Sequence, residues 1–386
     1  MLIDNKSIAI VGGGPAGLTL ARLLQLKGAD VKVYERDFNK NARVQGSPLD
    51  MHEDSGLEAI RKAGLLDEFK KSFRPGADRA LIVNEKAEIF FSDHETKPEE
   101  DFGYEHFRPE IDRGPLRNML LDSLQPETVV WDSHFTSMEP QDEGWILHFK
   151  NGTSAYADLV IAGDGANSKI RPYLTDIKPV YSGVIMLEGN VSKQEAPHID
   201  ALVKGGKIMA FGNSQNILLG QKGNGDIGFY ASFKADENWP TASGLNFSDN
   251  TQMLKWFKTE YSEWSSVWEE LFENAVTPFI PRLIYYMPFD QTWETRPNLT
   301  LIGDAAHVMP PFAGEGANMA MLDALELSEH LTDNHYNTLC EAISSYEQKM
   351  RERAAIATRE SLENGERMHS ETALATMIEF FTTHPD

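Results

Sequence analysis

Cysteine is nearly absent: the 386 residues hold one, Cys340. A single thiol forbids an internal disulfide, and no His/Cys set stands at zinc-ligand spacing, so neither a covalent staple nor a structural metal is expected. A reducing cytoplasm follows as the default location. Long charge-free apolar runs are missing too, which argues against a membrane span. The first apolar run, from Ile8, is broken by three glycines and lacks the layout of a signal peptide. Basic residues are in deficit, 36 against 59 acidic ones, and the net charge of −23 argues against nucleic acid or an anionic membrane as partner. The same charge serves equally as a soluble, self-repelling surface. No internal repeat, low-complexity tract, nucleophile elbow or Ser-His-Asp arrangement occurs. What remains is ordinary globular material, 41% hydrophobic and 25% charged, long enough for two domains or one with an insertion.

Residues 7 to 37, "SIAIVGGGPAGLTLARLLQLKGADVKVYERD", carry the first signal. Ile8, Ile10 and Val11 predict a strand, the glycines a tight turn, and Leu18, Leu20, Leu23 and Leu24 a helix. Gly12, Gly14 and Gly17, with Pro15 and Ala16 between them, fit G-x-G-x-x-G. In that pattern one glycine turns the chain, one lets backbone approach a pyrophosphate and one lets helix pack on strand. The helix N-terminus aims free N–H groups at the phosphates. Glu35 ends a second predicted strand 23 positions after Gly12, where a carboxylate accepts from a ribose hydroxyl.

Residues 85 to 110 are acidic and turn-rich and predict a surface excursion or mobile loop. From about Val180 alternation takes over, with strands predicted at 184–191, 207–212, 217–221 and 227–234. Aromatic residues from Leu254 to Leu271 recur at spacings of three and four, and core packing is their favoured role. A buried strand returns at Leu299. The fold class expected is α/β: a Rossmann-like cofactor domain (1–70, 105–175, 285–335) interrupted by an antiparallel substrate sheet (71–104, 176–284). C-terminal helices over 336–386 bridge the two, with Met377 and Phe380 as expected buried contacts.

Two more segments run from a strand into a Gly-Asp turn: "LVIAGDGANSKIR", residues 159 to 171, and "LTLIGDAAHVMPPFAGEGANMAMLDALELSEHL", residues 299 to 331. On chemistry alone Asp164 is either a helix cap or a nucleotide contact, whereas Asp304 can accept from a ribityl hydroxyl. Gly314, Glu315, Gly316 and Ala317 open a helix whose dipole would stabilise negative charge on a ring placed before it. The three segments together resemble the class A flavoprotein monooxygenases, the family with the para-hydroxybenzoate hydroxylase fold. That resemblance implies a resident FAD in a domain of the GR2 type, NADPH as transient reductant, and O2. It implies oxygen delivery through a flavin C4a-hydroperoxide, with no protein nucleophile, in a monomeric enzyme. It places Arg36, Arg43, Asp50, Arg117, Asp164, Asp304, Pro311, Gly314, Gly316, Ala317 and Asn318 against the cofactor. His307, in "GDAAH", is expected to be structural more than catalytic.

Within the family, "VYERD", "KAGLL", "GDAAHVMPPFAGEGAN" and "YEQKM" are similar to the tetracycline-inactivating monooxygenases of the TetX type. The likeness implies hydroxylation of an aromatic or tetracycline-like substrate held by Glu188, Lys207, Met209, Tyr230 and Phe312. Glu188 and Lys207 suit an ordinary cross-strand ion pair just as well, and Met209 and Tyr230 suit simple core. A different phenolic substrate, or a flavin-bearing binding protein without turnover, also fits these residues. The tryptophan motif of flavin halogenases is absent.

Overall fold

The computed structural model describes residues 1–42, 48–104 and 106–383; Arg43, expected beside the cofactor, lies outside the described residues. Ser7–Val11 is the middle strand of a five-stranded parallel sheet, ordered Leu299–Leu301, Leu159–Ala162, Ser7–Val11, Asp30–Tyr34, Val129–Val130. Its central strands are covered on both sides, which is why they read as unbroken apolar runs and not as alternation. The three glycine-bearing turns leave the carboxyl ends of three adjacent strands, where open parallel sheets take their ligands. The helix Pro15–Leu26 follows the first turn, and Gly316–Thr332, following the third, packs against it.

The second large sheet has seven strands among the described residues, ordered Ile280–Tyr286, Val180–Val191, Ile227–Lys234, Gln215–Gln221, Lys207–Gly212, Ala80–Asn84, Ile89–Ser92. It is mixed, not wholly antiparallel as expected, because Lys207–Gly212 and Ala80–Asn84 pair in parallel. The chain lays down Ala80–Asn84 long before the five strands of this sheet from Val180 onward, so its join is a crossover and not a hairpin. The stretch 85–110 is also more than an excursion. It supplies the edge strand Ile89–Ser92 and one side of the short pair Leu49–Asp50/Glu110–Ile111.

Alternation gives this sheet two unlike faces. Ile185, Leu187, Ile208, Ala210, Ile217, Phe229 and Ala231 are sealed beneath Trp256, Phe257, Trp268 and Phe272, the aromatic stripe read from sequence. The opposite face carries a row in register across five strands: Glu188, Tyr230, Leu218, Met209 and Ile82. The long helix Leu339–Met368 and the terminal helix Ala373–Thr383 close the chain, the latter lying against the edge strands of that open face. Met377 packs there, as expected. Phe380 does not: it is 50% exposed, and Phe381 turns inward instead, its ring centroid 5.4 Å from that of Phe91. The helical repeat puts only one of two adjacent aromatics on the buried stripe. None of the described helices is long and apolar enough to cross a membrane.

Candidate active site

The first turn shows three different uses of glycine. Gly12 has φ +112°, and a Cβ there would lie 2.2 Å from the Gly163 carbonyl oxygen, so the first and second turns touch through it. A Cβ on Gly17 would lie 2.1 Å from the Gly12 carbonyl, so helix and turn close on each other. At Gly14 a Cβ would meet nothing within 4 Å, and no side chain caps the helix it opens. The turn is thus tight behind and open in front of Gly14, where the first N–H groups of the helix have no intrahelical partner. Glu35 is buried and serves the turn itself: Oε2 accepts from Gly13 N–H (2.6 Å) and Oε1 from Asp37 N–H (3.0 Å). Arg117 donates to the Lys40 carbonyl (2.7 Å) and Asp37 (3.2 Å), fixing the loop after Glu35, whereas Arg36 is exposed.

Arg171 fastens the second turn to the third. Its guanidinium donates to the carbonyls of Ala305 (2.7 Å), Asp304 (2.9 Å) and Ala166 (2.9 Å). Asp164 Oδ2 accepts from Lys169 N–H (2.8 Å), while Oδ1 is buried with no partner. Burial raises the Asp164 carboxyl above the usual range against its hydrogen bonds to Ser168 and the turn backbone. Asp304 is solvent-accessible, yet crowding by protein raises it too, with His307, Arg113 and Arg171 opposing. Asp304 is thus reachable yet closely surrounded by protein. His307 is fully inside: its Nε2 meets Asp323 Oδ2 at 2.5 Å, and the same oxygen accepts from Gly303 N–H (2.8 Å). Burial disfavours its charge, but Asp323 outweighs burial and raises it. With Arg353 on the other Asp323 oxygen (2.8 Å), the His307–Asp323 pair locks the turn.

The residues fit a dinucleotide. Gly14 and Gly316 both leave open space before helices with no side-chain cap, an accessible Asp304 stands between them, and Asp164 keeps an unsatisfied oxygen. Pro311 is exposed beside the third turn. Gly314 has φ +70°, and a Cβ on it would lie 3.0 Å from Asp50 Oδ2. Asn318 ties the turn together: its amide donates to the carbonyls of Asp50 (2.9 Å) and Gly314 (3.2 Å) and its oxygen accepts from His52 N–H (2.9 Å). Ala317 packs beside it, half-buried, against the cofactor-domain core.

A cluster of charge unread in the sequence gathers here. His52 Nε2 meets Asp50 Oδ2 at 3.2 Å and Nδ1 meets Glu315 Oε1 at 3.3 Å. Burial disfavours the imidazolium, yet these two carboxylates raise His52 to about 9 against Arg108. Burial likewise opposes the Asp50 charge, but His52, Lys207 and Arg108 lower it to about 2. Across the short strand pair from Asp50 stands Glu110, whose Oε1 accepts from Lys207 Nζ at 2.9 Å. Burial raises Glu110, and the two carboxylates raise Lys207 despite burial. The only local signal for this cluster is the i, i+2 spacing of Asp50 and His52, which puts both on one side of an extended chain.

Glu188, Lys207, Met209 and Tyr230 share the open face of the seven-stranded sheet, and Phe312 packs onto it beside Tyr230 and Leu218. Glu188 and Lys207 are not an ion pair, however. Two strands separate theirs, and Glu188 binds Arg282 (2.8 Å) while Lys207 binds Glu110. Sequence reasoning also missed His369. Buried in the link to the terminal helix, it donates from Nδ1 to the Gly365 carbonyl (2.7 Å), so Nε2 accepts from Ser232 (2.7 Å) and Asn216 (3.2 Å). Burial lowers its pKa. It pins the C-terminal helices to the open face and stands edge-on to Phe312, centroids 5.5 Å apart.

The chain matches the FAD binding domain family over residues 5–178 and 292–361 and belongs to that family, that of the class A flavin monooxygenases. The unmatched interval contains five of the seven strands of the open-faced sheet. Monooxygenase asqM of Emericella nidulans is 28% identical over 89% of this chain and 87% of its own length. The structure of Klebsiella pneumoniae HpxO complexed with FAD and uric acid superposes with TM-score 0.77 at 20% identity, covering 99% and 94% of the two chains. The tetracycline destructase Tet(55) gives TM-score 0.76 at 17% identity over 100% and 98%. The likeness to tetracycline enzymes is one of fold.

Proposed function

We propose that the chain uses FAD, a nicotinamide reductant (NADPH foremost) and O2 to hydroxylate an aromatic or polyketide-like small molecule, tetracyclines being the first to test. The observation that carries this reading is the open face: Glu188, Tyr230, Leu218, Met209 and Ile82 in one register row, with Lys207 beside it and Phe312 over it, joined to the Gly314 turn through Lys207, Glu110 and Asp50. FAD, when bound, supplies the redox chemistry and the activation of oxygen. Gly12, Gly14, Pro15, Ala16 and Gly17 would cradle its pyrophosphate, Glu35 and Arg36 its adenosine end, Asp164, Asp304 and Arg117 its middle. Pro311, Gly314, Gly316, Ala317 and Asn318 would hold the ring.

The chain's remaining task is to orient a carbon and keep water out. Tyr230, Leu218, Met209 and Phe312 give flat apolar walls of the kind a fused-ring or phenolic substrate fills. Charge stands at two ends: Arg282 with Glu188, and Lys207 with Glu110 and Asp50. Lys207 is already neutralised by two carboxylates, so it offers a polar edge for hydrogen bonding more than a free cation for an anionic group. A lysine lacks the bidentate fork of an arginine, which favours testing phenols beside tetracyclines.

The test is purification followed by a screen. The protein should be yellow with a flavin spectrum, and a substrate should speed NADPH loss and give a product heavier by one oxygen. Tight binding of a tetracycline with neither effect would mark a binding protein instead.

A further inference from the structure

A cavity lies between the helices Gly316–Thr332 and Leu339–Met368, with Glu315 in its lining. It has a volume of about 560 Å³, and its lining includes Asp54, Ser55, Glu315, Lys349 and Arg353. That is ample for water. Two lining groups are left unsatisfied: the Oγ of Ser55, a residue 1% exposed, and Oε2 of Glu315. Buried oxygens without protein partners mark places where water is held.

We propose that Glu315, His52 and Asp50 form a proton path from this outer cavity to the cleft before the open-faced sheet. The links are continuous: Glu315 Oε1 to His52 Nδ1 at 3.3 Å, His52 Nε2 to Asp50 Oδ2 at 3.2 Å, and Asp50 Oδ2 against Gly314. The path rests on the monooxygenase reading, in which reductant, oxygen and substrate give oxidised reductant, hydroxylated substrate and water with one proton taken up per turnover. His307 is not part of this path: its Nε2 is held by Asp323 Oδ2, which also accepts from Gly303 N–H.

The transfer balances as follows. His52 begins as an imidazolium, the state its two carboxylates favour over the opposing Arg108. Its Nε2–H bond breaks as an O–H bond forms on Asp50, and Asp50 passes that proton into the cleft and becomes a carboxylate again. A half-turn of the ring, which a carboxylate on either side makes equivalent, brings the bare nitrogen to Glu315. A proton from cavity water, passed along Glu315, restores the imidazolium. Among the described residues, Lys207 and Arg108 act on Asp50, and Asp54, Glu326, Lys349, Glu352, Arg353 and Glu360 stand around the cavity.

The test uses FAD-loaded protein reduced with stoichiometric dithionite and mixed with oxygenated, weakly buffered solution containing a pH-indicator dye. Reoxidation, FADH⁻ + H⁺ + O2 → FAD + H2O2, needs neither nicotinamide nor substrate. E315Q and H52N should hold FAD with wild-type affinity yet take up the proton about tenfold more slowly or worse. Formate should restore E315Q and imidazole should restore H52N, which a merely structural loss would not allow. In the wild-type holoenzyme, ¹⁵N-histidine NMR should find the His52 ring as an imidazolium through neutral pH, its N–H protons exchanging with water. Unchanged proton uptake in variants that keep FAD, or a neutral His52 ring, would overturn the path and leave the monooxygenase reading standing. A chain that stays colourless with added FAD would overturn both.

Discussion

Phe229 and Tyr230 are consecutive in one strand and belong to different chemistries. Phe229 is fully buried, its ring centroid 5.4 Å from Phe272 and 6.2 Å from Phe279, in the sealed layer. Tyr230 points to the other side, in register with Glu188 and Leu218 on the face that closes over Phe312. The period-two geometry of a strand therefore lets one segment hold the fold with its odd residues and present its even ones on the face proposed for substrate.

The largest effect should come from breaking the sealed side. Phe229→Ala should cost about 3–5 kcal/mol in denaturant unfolding. Tyr230→Ala should cost about 1 kcal/mol or less and instead weaken substrate binding. Equal losses from the two would erase the distinction between the faces.

The next effect concerns pH. His52 stands at about 9 in the folded chain against an ordinary 6.5, so its contribution to stability is whole below pH 6.5 and is lost as pH climbs through 9. The difference corresponds to at most about 3–4 kcal/mol. Asp50 has the opposite sign: held at about 2 against 3.8, its contribution is whole above pH 3.8 and lost as pH falls through 2. Unfolding of the wild type measured from pH 6.5 to 9 should therefore show a decline that His52→Asn lacks. Parallel curves would mean that His52 is not charged in the folded state.

Smaller still is the effect expected in the glycine turn, where packing and ligand space are also opposed. Gly14→Ala has room in the protein itself, so its melting temperature without FAD should match the wild type, while FAD affinity falls about tenfold, or about 1.4 kcal/mol. Gly12→Ala has no such room and should lose stability first. At the small end, Phe381→Ala should cost about 1 kcal/mol and Phe380→Ser within about 0.5 kcal/mol, since only Phe381 packs inward. Thermal unfolding of the pair checks this.

The two faces were also unequally legible. Strands Lys207–Gly212 and Ile227–Lys234 lie where the alternation puts them, because each has one face sealed and one open. Ala80–Asn84 was not legible: all five of its residues are buried, so it shows no alternation, and its parallel partner comes more than a hundred residues later. The pairing of Glu188 with Arg282 was hidden for a related reason, since strand order across a sheet is set by packing and not by local pattern. The three glycine turns were legible because each needs its residue types within a few positions. Asp50, His52 and Glu315 meet only after the chain has folded, and so does His369 with Ser232 and Asn216.

The most direct measurement is the fate of oxygen. FAD-loaded protein, NADPH and ¹⁸O2 should convert a tetracycline or phenol to a product carrying one ¹⁸O atom, and Tyr230→Ala should lower that yield while the flavin spectrum stays unchanged. Consumption of NADPH with no labelled product from any aromatic compound, or full labelling without an intact open face, would contradict it.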